Sequence, residues 1–188
     1  MSYRRRSRYN PDYDRGYDYT PVNRSGNTIP AQPVRYADTD FKSIAEARWA
    51  VFFDALEVPW LYEPRRFFTS RGGYVPDFYL PAWNVWWEVK GAPPIQAAVN
   101  AAASVVGQTR QALCIAWGQM AARGAGPIWV VTGYDSGFHA AIAQCQTCDE
   151  FSLIPPGEFD QGEHAFDALR PSILSAYAKA RGARWQTS

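Results

Sequence analysis

The order of hydrophobic patterns predicts an α/β fold: a helix, three strands, a second helix and a further strand, with a central mixed sheet flanked by helices. Three observations carry that expectation. Ser43-Ile44-Ala45-Glu46 has the form of a capping box, and Ile44, Ala47, Val51 and Phe52 follow it at helical spacing. Short runs rich in β-branched and aromatic residues come next, separated by Pro and Gly signals. An Ala-rich stretch then leads to the β-branched run Ile128-Trp129-Val130-Val131-Thr132.

Taken in order, Pro59 limits the first helix to about residue 57. Residues 60–63 form a short strand ended by Pro64, and 67–70 a second extended piece. Arg71-Gly72-Gly73 signals a turn, and the strand Tyr74 to Leu80 follows it. Pro81 to Asn84 turns the chain into the strand Val85 to Val89. Gly91 and Pro93-Pro94 precede a helical region from about Ile95 to Arg123, with a break near Gly107. Residues 127–132 read as a buried strand, 137–144 as a short helix, 151–154 as a last strand and 171–181 as a final helix.

With 47% hydrophobic and 15% aromatic residues, the chain of 188 has enough apolar matter for a core. Three cysteines argue against a secreted disulfide framework. No apolar run approaches the ~18 residues that span a bilayer, and the N-terminus lacks a secretory pattern, so a cytoplasmic protein with no membrane association is expected. The net charge of +1 excludes a uniformly basic coat but hides a split. Residues 1–36 hold seven arginines, three aspartates and six tyrosines, a net of +4. From residue 37 onward the balance is −3. Three regions follow: a disordered Arg/Tyr-rich arm over 1–40, a main domain over 41–156, and a C-terminal extension with a helix over 157–188. The arm is either a plain solvated tail or a device that contacts phosphates through Arg and stacks bases on Tyr.

The chemistry concentrates in one hairpin. A four-residue loop over Pro81 to Asn84 pairs Leu80 with Val85, Tyr79 with Trp86, Phe78 with Trp87 and Asp77 with Glu88. Pro76, Phe78, Leu80, Val85, Trp87 and Val89 then share an apolar face. Asp77 and Glu88 lie opposite each other on the other face, Cβ atoms ~5 Å apart, with Lys90 beside Glu88. Like charges so placed need compensation. Two carboxylates and the Val89 carbonyl suit Mg²⁺ or Mn²⁺. A lysine beside such a cation can orient water and stabilise charge on a phosphate. The plainer alternative is an exposed hairpin face on which both carboxylates pair with Lys90.

Pro76-Asp77, a ten-residue gap and Glu88-Val89-Lys90 resemble the motif of the PD-(D/E)XK nuclease superfamily. The order of elements is similar to its restriction-endonuclease-like αβββαβ core. Glu46 to Phe53, Tyr62-Glu63-Pro64 and Pro76 to Pro81 resemble small nuclease-like proteins of phages and bacterial mobile elements. The resemblance covers residues 41–92 and leaves out the arm. It implies a divalent-metal-dependent deoxyribonuclease acting on DNA in a bacterial or phage-infected cell, with Asp77 and Glu88 as metal ligands and Lys90 as the catalytic lysine. Glu46 matches a further metal-binding glutamate of many members, although its place in the capping box explains it equally well. Gln96, Gln108 and Gln111 are candidates for the glutamine that some branches carry, none at a diagnostic spacing. A homodimer fits two-strand cleavage. A catalytically silent DNA-binding or assembly module on the same fold is the alternative.

Weaker signals remain. Cys145-Gln146-Thr147-Cys148 has the spacing of half a zinc site, but no second pair accompanies it, so zinc at Cys145 and Cys148 is not expected. Cys114 falls within the expected helix, and His139 and His164 are isolated. Trp86 is expected to pack beneath the first helix. No Walker loop, Rossmann glycine pattern or nucleophile elbow is present.

Overall fold

A computed structural model describes residues 31–70, 72–118, 120, 128–134, 136–155, 158, 160–161 and 164–185. The chain is mixed α/β. The described elements are β1 (Val34–Tyr36), β2 (Thr39–Phe41), α1 (Ile44–Ala55), β3 (Leu61–Tyr62), β4 (Phe67–Thr69), β5 (Gly72–Tyr74), β6 (Phe78–Leu80), β7 (Val85–Lys90), α2 (Gln96–Thr109), β8 (Leu113–Trp117), β9 (Ile128–Gly133), β10 (Ser136–Cys145), β11 (Phe151–Ile154), β12 (Asp160–Gln161), β13 (His164–Asp167) and α3 (Pro171–Gly182).

A nine-stranded mixed sheet runs in the order β12-β13-β10-β9-β8-β7-β6-β3, with β11 also paired to β10. Among the described residues only the β7–β8 pair is parallel, and α2 supplies its crossover. The β6–β7 register is Phe78↔Trp87, Tyr79↔Trp86 and Leu80↔Val85, as the alternation and the turn predict.

Alternation along β7 and β8 divides the core in two. Trp87 and Cys114 point into the larger cluster, where Trp49 and Phe53 of α1 meet Trp87 at ring separations of 4.8 and 5.4 Å. Tyr177 of α3 closes over Phe52 at 4.4 Å. Trp86, Leu113 and Ile115 point the other way, beneath Ala102, Ala103, Val105 and Val106 of α2. Helices thus cover both faces of the sheet. Trp86 lies beneath the second helix rather than the first, because its neighbour Trp87 already occupies the α1 face.

Three elements depart from expectation. The strand expected over Tyr74 to Leu80 is split: Gly72–Tyr74 pairs with β4 as β5, and only Phe78–Leu80 pairs with β7. The helical region expected to run to Arg123 ends at Thr109, where Arg110 takes a left-handed conformation (φ 63°), and Leu113–Trp117 forms a central strand. Cys114 is therefore a strand residue. Gly107 lies inside the helix and does not break it. Ser136–Cys145 is a ten-residue strand and not a short helix. Its pairing with β9, β11 and β13 in turn overrides the helical propensity of its alanines. Part of the arm expected over 1–40 is ordered as well. β1 and β2 form a hairpin that buries Val34 and Phe41 in the larger cluster. Residues 1–30, with most of the arm's arginines, lie outside the described residues. Among the described residues no helix is long and apolar enough to cross a membrane.

Candidate active site

The candidate centre lies where β6 and β7 part. Trp86 donates its N–H to Ala112 O on the β8 side at 3.0 Å. Alternation then turns the N–H and C=O groups of Val85, Trp87 and Val89 toward β6. The β6 ladder starts at Phe78, so Val89 has no backbone partner there. Its N–H instead donates to Asp77 Oδ2 at 2.7 Å, and a side chain continues the ladder. The Asp77 backbone is fixed from the other side, where Asp77 O accepts from Glu63 N at 2.8 Å. The Val89 carbonyl points to the same side, from which β6 has withdrawn.

Asp77, Glu88 and Glu46 are all buried, at 9%, 4% and 8% exposure. Glu88 Oε1 forms an ion pair with Lys90 Nζ. Glu88 Oε2 is buried with no hydrogen-bond partner. Burial first, and then the charge of Glu88, push the Asp77 carboxyl up to about 8. Glu46 adds to that push, while the Val89 N–H and Lys90 oppose it. The Tyr74 hydroxyl is raised well above its usual value by burial and then by the nearby Glu88 charge. Asp77, Glu88, Glu46 and Lys90 therefore occupy one electrostatic neighbourhood.

Glu46 is committed to the fold. Its Oε1 accepts from Ser43 Oγ at 2.7 Å, and its Oε2 accepts from Tyr62 O–H at 2.6 Å and Lys42 N at 3.2 Å. Ser43 Oγ in turn accepts from Glu46 N at 3.2 Å. This is a capping box in which the returning carboxylate takes the Lys42 N–H and the Ser43 hydroxyl in place of the Ser43 N–H. The carboxylates of Asp77, Glu88 and Glu46 do not draw together into a compact ligand group.

No family model, curated protein or solved structure matches this chain.

Other sequence-selected residues are placed as follows. Gln111 accepts from Trp86 Nε1 at 2.8 Å and donates to Tyr79 Oη at 3.1 Å, bracing the hairpin. Gln108 donates to Phe68 O at 3.0 Å, and Gln96 to Asn100 Oδ1 at 2.9 Å. His139 packs against the Trp129 and Trp117 rings at 4.8 and 5.9 Å, and burial lowers its pKa. His164 is not isolated. Among the described residues, Cys145, Cys148 and His164 are the one group of three or more Cys, His, Asp or Glu whose ligand atoms lie within 4.8 Å of one another. The sequence signal for this group was the C-x-x-C pair. Its third member lies 16 residues beyond Cys148 and is brought in by β-pairing.

Proposed function

We propose that the protein is a divalent-metal-dependent deoxyribonuclease built on a restriction-endonuclease-like core of the PD-(D/E)XK type. The order α1, β3, β6, β7, α2, β8 supports that core, and Pro76-Asp77 with Glu88-Val89-Lys90 supplies its motif. The observation that carries the reading is Glu88 Oε2, a buried carboxylate oxygen with no partner beside a second buried carboxylate. A fold without chemistry has little use for that arrangement, since a buried carboxylate oxygen left without a hydrogen bond is costly even when the other oxygen is ion-paired. Hard oxygen donors of this kind fit Mg²⁺ or Mn²⁺.

Asp77 and Glu88 would hold the cation, with the Val89 carbonyl on the open side of β7. Bound there, the cation would polarise a water and a phosphate oxygen. Glu46 stands behind them in the capping box of α1 and adds negative potential. Lys90, part-exposed, keeps Glu88 Oε1 oriented through its ion pair and presents a cation to the non-bridging oxygens of a phosphodiester. Asp77 retains its proton near neutral pH unless a positive charge arrives, so cation binding and its ionisation are linked.

The bonds that already engage Asp77 and Glu46 favour a second reading, a silent DNA-binding or assembly module. Cleavage of plasmid and branched DNA with Mg²⁺ or Mn²⁺ separates the two. The nuclease should lose at least about a hundredfold in rate on Asp77→Ala or Lys90→Ala. Variants that cut as fast as the wild type would remove these residues from the chemistry. A wild type that neither cuts nor binds Mn²⁺ through Asp77 would favour the module.

A further inference from the structure

The second group of chemistry-bearing side chains lies at the far end of β10. Cys145 closes that strand, and residues 146–148 turn the chain toward β11. Cys145 N donates to Glu150 O at 2.8 Å, which ties off the turn. On the other edge of β10, β13 pairs through Gln144↔Asp167 and Cys145↔Phe166, and Gln146 N donates to Ala165 O at 2.8 Å. That pairing carries His164 to the turn. Its Nδ1 lies 3.3 Å from Cys145 Sγ and 3.7 Å from Cys148 Sγ.

We propose that Cys145, Cys148 and His164 bind one zinc ion, which staples the β10–β11 turn to β13, with an exchangeable ligand such as water in the fourth position. Donor chemistry selects the metal: two thiolates and an imidazole suit zinc and do not suit Mg²⁺ or Ca²⁺. The spacing agrees. Tetrahedral zinc with Zn–S of about 2.3 Å and Zn–N of about 2.0 Å requires an S···N edge of about 3.6 Å, and the two observed separations straddle it. The turn is also shaped to hold a thiolate. Thr147 N–H points at Cys145 Sγ at 3.4 Å, and the Cys148 N–H is directed to the same sulfur. Backbone donors aimed at a sulfur are the kind of outer contact that holds a metal-ligating cysteine in place.

The surroundings make this a structural junction. Gln144, buried next to Cys145, donates from Nε2 to Asp149 O at 3.0 Å and accepts from Ser172 Oγ at 2.5 Å. Arg170 bridges to Asp149 Oδ1 at 2.8 Å. The turn, β13 and the start of α3 meet at this point, and α3 carries Tyr177 into the main core. Zinc would fix a region otherwise held by short ladders.

The test uses the full chain purified with reductant and without chelator, reconstituted with Zn²⁺ or Co²⁺ and desalted. The expected result is close to one zinc per chain by mass spectrometry, and for Co²⁺ a thiolate charge-transfer band with tetrahedral d–d bands. Cys148→Ser and His164→Ala act on the exposed side of the group and should retain zinc at least about tenfold less well. Cys145→Ser should do the same, although its buried position makes it the variant most exposed to misfolding. Cys114→Ser and Asp77→Asn should retain zinc fully, which separates this site from the carboxylate centre. Removing zinc should speed limited proteolysis between 149 and 170. A wild type that holds no zinc after reconstitution, a Cys148→Ser variant that keeps it, or a Cys145–Cys148 disulfide persisting in reductant would each overturn the proposal.

Discussion

Replacing Asp77 by Asn tests whether the hairpin centre is electrostatically strained. The Asp77 carboxyl lies near 8 in the folded chain against 3.8 as the reference for the unfolded one. Between those values the folded state holds a proton that the unfolded state has released, so stability falls as pH rises. The contribution is fully present below 3.8, declines above it, and is gone once the pH has passed the folded value. Each pH unit is worth about 1.4 kcal/mol, so the window from pH 5 to pH 8 carries at most about 4 kcal/mol. Asn keeps an oxygen for the Val89 N–H and never ionises. The variant's advantage over the wild type should be smallest below about pH 4 and should grow by up to about 4 kcal/mol between pH 5 and pH 8 in urea unfolding with chelator present. The comparison between the two proteins cancels His139 and Cys145, which both retain. Millimolar Mn²⁺ at pH 8 should raise the wild type toward the variant and leave the variant unchanged. Parallel pH profiles for the two proteins would refute the reasoning, because Asp77 would then be as easily ionised folded as unfolded.

Two further substitutions probe the frame that holds the centre. Gly137 sits at the register shift between β9 and β10, and an added Cβ would come within 2.6 Å of Trp129 Nε1 and 2.7 Å of Val130 O. Gly137→Ala should therefore cost about 1–3 kcal/mol in urea unfolding, and an unchanged midpoint would show that the bulge can shift. Ser43→Ala removes the N-cap acceptor of α1 and a donor to Glu46 Oε1, and should cost about 1 kcal/mol in thermal or urea unfolding. A neutral outcome would mean that Glu46 is held by Tyr62 and Lys42 alone.

The hairpin was legible from its turn. A loop over Pro81–Asn84 pairs Leu80 with Val85, and the register that follows gathers Phe78, Leu80, Val85 and Trp87 on one face. The first helix was legible from its cap and from Pro59. β8 and β10 were not legible, for one shared reason. Ala112 and Ala116 around β8, and Ala140, Ala141 and Ala143 in β10, are good helix formers placed where the sheet is covered on both faces. Pairing to neighbouring strands outweighs a propensity worth only tenths of a kcal/mol per residue. The β1–β2 hairpin was hidden by its position beside the Arg/Tyr-rich segment, although Val34 and Phe41 are the apolar pair that anchors it. His164 looked solitary because proximity in a sheet is set by register, which sequence distance does not report.

The same divergence of β6 from β7 accounts for both the strain and the opportunity at the hairpin. A continued ladder would bond Val89 to the backbone of β6 and seal the edge. Pro76, just beyond the last pair, has no N–H to extend such a ladder, so the strands part there. Asp77 fills the gap by accepting from Val89 N, and this alone would justify a short polar residue at that position. Glu46 is likewise accounted for by the capping box that Ser43 opens, where its carboxylate accepts from Ser43 Oγ and Lys42 N. Glu88 differs from both. One of its oxygens pairs with Lys90, and the other is buried without a partner, where Gln or Thr could serve the strand at far lower electrostatic cost. Of the three carboxylates, Glu88 is therefore the one that local structure does not require, and it is the residue from which a role in binding a cation is most directly argued.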